Sequence, residues 1–120
     1  DDQLAVALGC NDQDILTTEL ILTPGKAPKL AVHPWRNAWA LGTGERVALP
    51  MQTYLLTGYQ AAWLPPFGLP HLLTTDIAPT CMESPCPYVR GGVPHGWMAL
   101  TPDDLLSLTD YAHWSRVFAA

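Results

Sequence analysis

The sequence predicts a small α+β domain, and three observations support this class. Alternating apolar and polar residues are compatible with a strand over residues 14–23. Apolar residues that recur at helical spacing predict a central uncharged helix over about residues 50–63. The chain of 120 residues also contains 12 Pro, about twice the average usage, so long regular elements should be few. This length is typical of one domain, which we assign to residues 1–120.

The first part of the chain allows two interpretations. Ala5, Gly9 and Ile15 have the spacing of a helix-turn-helix, and this segment resembles the turn of helix-turn-helix repressors. In such proteins the second helix enters the major groove, where the acidic residues of this segment would repel phosphate. A helical pair here would therefore be scaffolding. The alternative is a strand over residues 14–23, and Pro24-Gly25 ends either element.

Two further β elements follow. Residues 29–33 read as a second strand that Pro34 stops. The glycines of Gly42-Thr43-Gly44 suit the positive φ angles of a tight turn. A hairpin is therefore predicted, with residues 37–41 and 45–49 as its two strands.

Histidine and tryptophan are paired twice, as His33-Pro34-Trp35 and His95-Gly96-Trp97. In a strand, residues two apart share a face, so each pair could place an imidazole beside an indole. A ligand cage could use this arrangement. Amphipathic side chains at the rim of a small core are the more common explanation, and we adopt that interpretation.

The central helix is expected to begin at Pro50, where the missing N–H costs nothing, and to end before Pro65-Pro66. A Pro-rich loop is then predicted over residues 64–96. Loops of this length inside a compact domain are usually functional, cross-linked or disordered, and its aromatic residues make disorder the least favoured of these.

The C-terminal helix, over about residues 102–118, has the clearest start signal. Thr101 is a good N-cap, Pro102 suits the first turn, and Asp103 and Asp104 favour the positive end of the helix dipole. Most of its apolar residues share one wide face. Leu106 and Val117 fall on a second, narrower apolar seam, which other residues would also have to cover.

Residues 47–75 contain no Asp, Glu, Lys or Arg. Such a stretch is buried in its own core, pressed against a partner or placed at a membrane surface. Because interface centres are rich in aromatic and poor in charged residues, we predict a non-catalytic interaction or assembly subunit that binds a protein partner or a second copy. The predicted contact residues are Met51, Tyr54, Tyr59, Trp63, Phe67, Leu106 and Val117.

The charge pattern argues against nucleic acid as a partner. Net charge is −5, and the six basic residues are dispersed along the chain, whereas phosphate binding needs clustered Lys and Arg. Pro and Gln interrupt the uncharged stretch, so no transmembrane helix is predicted. No targeting segment is recognisable, which leaves the compartment open between the cytoplasm and export after processing.

The alternative function is a zinc- or thiol-dependent protein. His71, Cys81, Cys86 and His95 provide four nitrogen and sulfur donors, the set that zinc prefers. Cys81 and Cys86 could instead form a disulfide in an exported domain near a membrane surface, or remain free thiols. The sequence contains neither a Gly-x-Ser-x-Gly motif nor a phosphate-binding loop. No catalytic residue is therefore predicted, and zinc is the single cofactor considered.

Overall fold

Strands and short helices alternate along the chain. The computed structural model describes residues 12–69 and 73–109. The strands are β1 (Leu16–Leu22), β2 (Lys29–Pro34), β3 (Arg46–Val47), β4 (Thr74–Ile77), β5 (Tyr88–Arg90) and β6 (Trp97–Ala99). The helices are α1 (Pro50–Thr57) and α2 (Pro102–Leu108), with 3₁₀ turns at Asp12–Asp14, Ala61–Trp63 and Pro79–Glu83. The predicted α+β class is confirmed.

Four strands form one sheet in the order β3-β1-β2-β4. β1 is antiparallel to both β2 and β3, whereas β2 and β4 are parallel. β5 and β6 form a separate antiparallel pair, which a single bridge between Ile15 and Tyr88 joins to the start of β1. The interpretation of residues 14–23 as a strand is thus correct, and β1 excludes a second helix at this position.

The core lies against one face of the four-stranded sheet. Alternate residues of β1 and β2, such as Leu16, Leu20 and Val32, are at most 1% exposed. α2 packs on the same side through Leu105, which is fully buried. Leu64 fills a second cluster beside Leu20. The opposite face carries charged side chains beside the buried Ile21 and Ala31.

α1 places its threonines inward and its large apolar residues outward. Thr53 and Thr57 are buried, and the Thr57 hydroxyl donates a 2.7 Å hydrogen bond to the Thr53 carbonyl oxygen. Because this hydroxyl is satisfied within the helix, its burial carries little cost. Gly58 ends the helix at φ 80°, a left-handed conformation that glycine adopts readily.

α2 begins as predicted. The Thr101 hydroxyl accepts a 3.1 Å hydrogen bond from the Asp104 N–H, the capping contact expected of a threonine at this position. The described part of the helix ends at Leu108, and the remainder of the predicted span to residue 118 lies outside the described residues. None of the helices in the described ranges is long and apolar enough to cross a bilayer.

Three predicted elements need correction. The central helix stops at Thr57 rather than near residue 63, because Gly58 caps it and a separate 3₁₀ turn follows. The predicted hairpin is absent, since β3 pairs with β1 instead of with residues 37–41. The span 64–96 is not one long loop, because it contains β4, a 3₁₀ turn and β5; β4 obtains its partner from β2, far away in the sequence.

Candidate functional site

The sheet face opposite the core carries four ionisable side chains. Residues paired across neighbouring strands lie on the same face. Glu19 of β1 pairs with Ala31 of β2, and Ala31 pairs in turn with Asp76 of β4. Lys29 and His33 lie two residues before and after Ala31, so they occupy this face as well. We call Glu19, Lys29, His33 and Asp76 together the polar face.

Lys29 is held between two carboxylates. Its Nζ lies 2.6 Å from Glu45 Oε2 and 2.9 Å from Asp76 Oδ2, and the three side chains are 13–22% exposed. Burial opposes the charge on Lys29, but the hydrogen bonds and charges of Glu45 and Asp76 outweigh it and raise the pKa of the ammonium. The hydrogen bond from Lys29 and one from the Gly42 N–H lower the pKa of Glu45. Lys29 is therefore a fixed positive charge and not a nucleophile.

His33 is buried beside Glu19. Its Nδ1 lies 2.9 Å from the Pro34 carbonyl oxygen, which requires the proton on Nδ1. Its Nε2 lies 3.5 Å from Glu19 Oε2, within ion-pair distance, although the contact does not meet hydrogen-bond geometry. Burial lowers the pKa of His33, but Glu19 and the carbonyls of Pro34 and Asn37 outweigh burial and raise it. His33 is thus fixed through Nδ1, while its buried Nε2 faces the Glu19 carboxylate.

The segment between β2 and β3 covers the polar face. The Trp39 ring lies 6.0 Å from the His33 ring, measured between centroids, at a tilt of 47°. Further along, Glu45 reaches Lys29 and accepts a 2.6 Å hydrogen bond from the Gly42 N–H. Beside these contacts a cleft of about 620 Å³ remains open, a volume within the range of small-molecule sites. We call it the Lys29 cleft; its lining residues are Thr23, Lys26, Ala27, Lys29, Gly42, Thr43, Glu45, Thr74 and Asp76.

A second cleft, of about 360 Å³, lies near the other end of β2. Arg36, Glu83 and Ser84 contribute to its lining. The Ser84 hydroxyl donates a 2.6 Å hydrogen bond to Asp14 Oδ1. Neither of the two described histidines, His33 and His95, lines this cleft, so neither acts as the imidazole base that activates a serine nucleophile.

The three predicted zinc ligands that the structure describes, Cys81, Cys86 and His95, do not form a group of metal ligands. Cys81 is buried in the core and donates to the Val32 carbonyl oxygen at 3.6 Å, and burial raises the pKa of its thiol to about 12. Cys86 and His95 are exposed, and His71 lies outside the described residues. In residues 12–69 and 73–109, no three His, Cys, Asp or Glu side chains group as metal ligands. Cys81 and Cys86 are both free thiols, so the predicted disulfide is not present.

The predicted contact residues on the uncharged stretch vary in exposure. Met51 and Tyr54 are 68% and 49% exposed on the outer side of α1. Tyr59, Trp63 and Phe67 are half-buried. The main-chain carbonyl of Trp63 accepts a 3.0 Å hydrogen bond from Gly92. Whether α1 contacts another protein stays a prediction.

Of the second predicted seam, the structure describes Leu106, which is not at the surface. Leu106 is 4% exposed and belongs to the core cluster that also contains Leu16 and Val32. α2 is short in the described part of the chain and packs both Leu105 and Leu106 into the core. Leu106 is therefore not available to a partner, and Val117 lies outside the described residues.

Sequence reasoning missed the polar face as a site. The alternation in β1 does place Glu19 opposite Leu20, and this signal identifies an outward-facing strand position. The pairing of Lys29 with Asp76 spans 47 residues and has no local signature. The pairing of His33 with an indole was anticipated, but the ring that it contacts is that of Trp39 rather than that of Trp35.

In comparisons with known proteins, this chain is similar to several solved structures. No protein-family model matches the chain, and no curated protein matches it in sequence. A solved structure of a candidate trans-editing enzyme for prolyl tRNA synthetase is 26% identical, covers 90% of this chain and 73% of its own, and has a TM-score of 0.83.

Two further solved structures show the fold alone. One, from a study of epitope grafting onto scaffold proteins by computational design, is 24% identical over 90% of this chain and 74% of its own, with a TM-score of 0.82. The other is a hypothetical protein, 22% identical over 90% of this chain and 77% of its own, also with a TM-score of 0.82.

The similarity to a candidate editing enzyme contradicts the prediction of a non-catalytic assembly subunit. That prediction treated residues 47–75 as one surface. In the structure this stretch is divided, since Leu64 and Thr75 are buried whereas Met51 and Leu55 are exposed. The absence of charge therefore does not mark a single interface, because the stretch contains both buried and exposed residues.

Proposed function

We propose that this chain is a trans-editing domain that hydrolyses the ester bond of mischarged aminoacyl-tRNA. The observation that carries the proposal is the 26% identity to a candidate trans-editing enzyme over 90% of this chain, at a TM-score of 0.83. Editing is needed because a synthetase site cannot reject amino acids that are similar to, or smaller than, the correct one by binding alone. A second site therefore hydrolyses the wrong product.

The Lys29 cleft supplies the groups that ester hydrolysis needs. A carboxylate, Asp76 or Glu45, takes a proton from water while the water oxygen bonds to the ester carbonyl carbon. The oxyanion that forms lies beside the Lys29 ammonium, which stabilises it. When the intermediate collapses, the ester C–O bond breaks and the proton passes to the ribose oxygen. The products are a free amino acid and uncharged tRNA.

The charge of the chain limits how tRNA is held. With six basic residues dispersed among eleven acidic ones, the protein makes few phosphate contacts. The proposal goes against the expectation that nucleic acid is not bound, and it confines the contact to the acylated 3′ end. Each phosphate contact on a single strand steepens the slope of log K against log salt concentration by about 0.7. Because the phosphate contacts are few, this slope should be shallow.

Deacylation of tRNA for proline, charged with alanine, serine, cysteine or proline, tests the proposal. We expect release of the noncognate amino acids and slow release of proline. Asp76→Asn and Glu45→Gln each keep the shape of the side chain and remove one of the two carboxylates, so at least one of these variants should lower kcat by about a hundredfold or more. Asp103→Asn, an exposed carboxylate at the start of α2, is the matched control and should leave kcat unchanged.

Two results would overturn the proposal. Failure of the wild-type chain to release any of the noncognate amino acids would exclude editing of this tRNA. Losses of kcat in both Asp76→Asn and Glu45→Gln that are no larger than the loss in Asp103→Asn would exclude the Lys29 cleft as the place of reaction.

A further inference from the structure

Hydroxyl groups dominate the uncharged lining of the Lys29 cleft. Thr23, Thr43 and Thr74 all line it. They come from the end of β1, from the segment before β3 and from β4, so they approach the cleft from three separate elements. Ala27 is the one hydrocarbon side chain in this lining, beside Gly42, which has none.

Among the residues that the structure describes, these three hydroxyls have no hydrogen-bond partner. In the described part of the chain, the side chains of Thr23, Thr43 and Thr74 form no hydrogen bond, whereas the buried Thr57 hydroxyl bonds to a main-chain carbonyl. A hydroxyl can donate one hydrogen bond and accept others. The cleft therefore offers three adaptable partners to a polar ligand.

An aliphatic ligand would gain little in the same place. Burial of apolar surface is favourable in proportion to the apolar area that leaves water, and the apolar surface of this lining is limited to Ala27, threonine methyl groups and lysine methylenes. Sites that form a hydrogen bond to a substrate hydroxyl discriminate strongly against analogues without it, whereas apolar sites separate similar side chains weakly. The lining therefore favours a hydroxyl on the substrate.

We infer that the Lys29 cleft selects an aminoacyl group with a small hydroxylated side chain, of the serine and threonine class, over an aliphatic one such as alanine. This inference rests on the proposed function, because it takes the acyl group of aminoacyl-tRNA as the ligand. The ester carbonyl lies toward Lys29, and the side-chain hydroxyl lies among Thr23, Thr43 and Thr74.

The first test compares tRNA for proline charged with serine and with alanine. We expect kcat/KM for the seryl substrate to be higher by about tenfold or more. Thr43→Val and Thr74→Val each replace a hydroxyl by a methyl group of similar size, so both should lower the ratio of serine to alanine. Thr17→Val is the control, since Thr17 lies on the same sheet face but outside the cleft lining, and the ratio should not change.

A second test does not need deacylation. L-serine amide and L-alanine amide are titrated into the whole chain, and binding is followed by NMR shifts of the Thr43 and Thr74 amides. Tighter binding of serine amide supports the inference even if no ester is hydrolysed, in which case the proposed function alone fails. Equal binding, preference for alanine amide, or no binding of either would overturn the inference, as would a kcat/KM that favours alanine.

Discussion

Replacing Lys29 with methionine should destabilise the fold in a pH-dependent way. Methionine keeps the length of the side chain but removes the ammonium that lies 2.6 Å from Glu45 and 2.9 Å from Asp76. Two neighbouring carboxylates then remain without their cation. Breaking a fully buried pair costs about 3–5 kcal/mol, and an exposed pair contributes about 1 kcal/mol or less. Because these side chains are 13–22% exposed, we expect a loss of about 2 kcal/mol near neutral pH.

The direction of the pH dependence follows from the two shifted groups. The pKa of Glu45 lies below its ordinary 4.5, so its stabilising contribution is present above 4.5 and is lost as pH falls through the lower, folded value. The pKa of Lys29 lies above its ordinary 10.5, so its contribution is complete below 10.5 and is lost as pH rises through the higher value. The difference between wild type and Lys29→Met should therefore be largest between about pH 5 and pH 10.

Urea denaturation, followed by tryptophan fluorescence at about pH 3.5 and pH 7, measures this difference. Lys26→Met is the matched control, because Lys26 also lines the cleft but is exposed; its loss should stay within about 0.5 kcal/mol. An equal loss for Lys29→Met at both pH values would show that packing, and not charge, explains the effect. A loss as small as that of the control would refute the stabilising role of the ion pairs.

Two other predictions concern packing and thiol chemistry. Gly92 and Gly25 both have a positive φ, of 86° and 75° respectively. A Cβ added at Gly92 would lie 2.7 Å from the Tyr59 ring, whereas a Cβ added at Gly25 would have no atom of the described residues within 4 Å. In urea denaturation, Gly92→Ala should therefore cost about 1–3 kcal/mol more than Gly25→Ala, and equal costs would exclude the clash. Iodoacetamide near neutral pH should label Cys86 and spare Cys81, because Cys81 is buried and its thiol has a pKa of about 12. Peptide mass mapping measures the labelling, and labelling of Cys81 in the folded chain would contradict its burial.

Elements with local signals could be predicted from the sequence. Residues 29–33 were predicted as a strand that Pro34 stops, and the proline is the last residue of β2, in line with the preference of proline for strand ends. The start of α2 was equally readable, since the Thr101 cap depends on residues within one turn. Such signals act over three or four residues, which a sequence displays directly.

Elements that depend on distant partners could not be predicted. β4 is only four residues long, Thr-Thr-Asp-Ile, and two of its positions are threonines with no apolar alternation to mark them. It is a strand because β2 offers it a parallel edge about 45 residues earlier, with Lys29 opposite Thr74. For the same reason, the ion pair between Lys29 and Asp76 has no counterpart in any local pattern.

α1 shows that a correctly predicted helical period does not decide which face of the helix is buried. The sequence separates an apolar stripe that includes Met51, Tyr54 and Leu55 from a polar face that includes Thr53 and Thr57. The hydrophobic effect favours burying the stripe, yet the structure buries the threonines. Threonine is compact, and an internal hydrogen bond satisfies the Thr57 hydroxyl, so the helix can lie close to its neighbours through this side.

The position of the ionisable groups explains why the uncharged stretch was a poor guide to function. The groups of the candidate site all lie outside residues 47–75, namely Glu19, Lys29, His33, Glu45 and Asp76. Acid–base and electrostatic chemistry requires charges held at fixed positions, and a stretch without charges cannot supply them. The more informative signal is a charged residue at a regular position within a buried strand, as with Glu19 between Thr18 and Leu20. Such a residue must face away from the core, and the sheet then decides which other charges it meets.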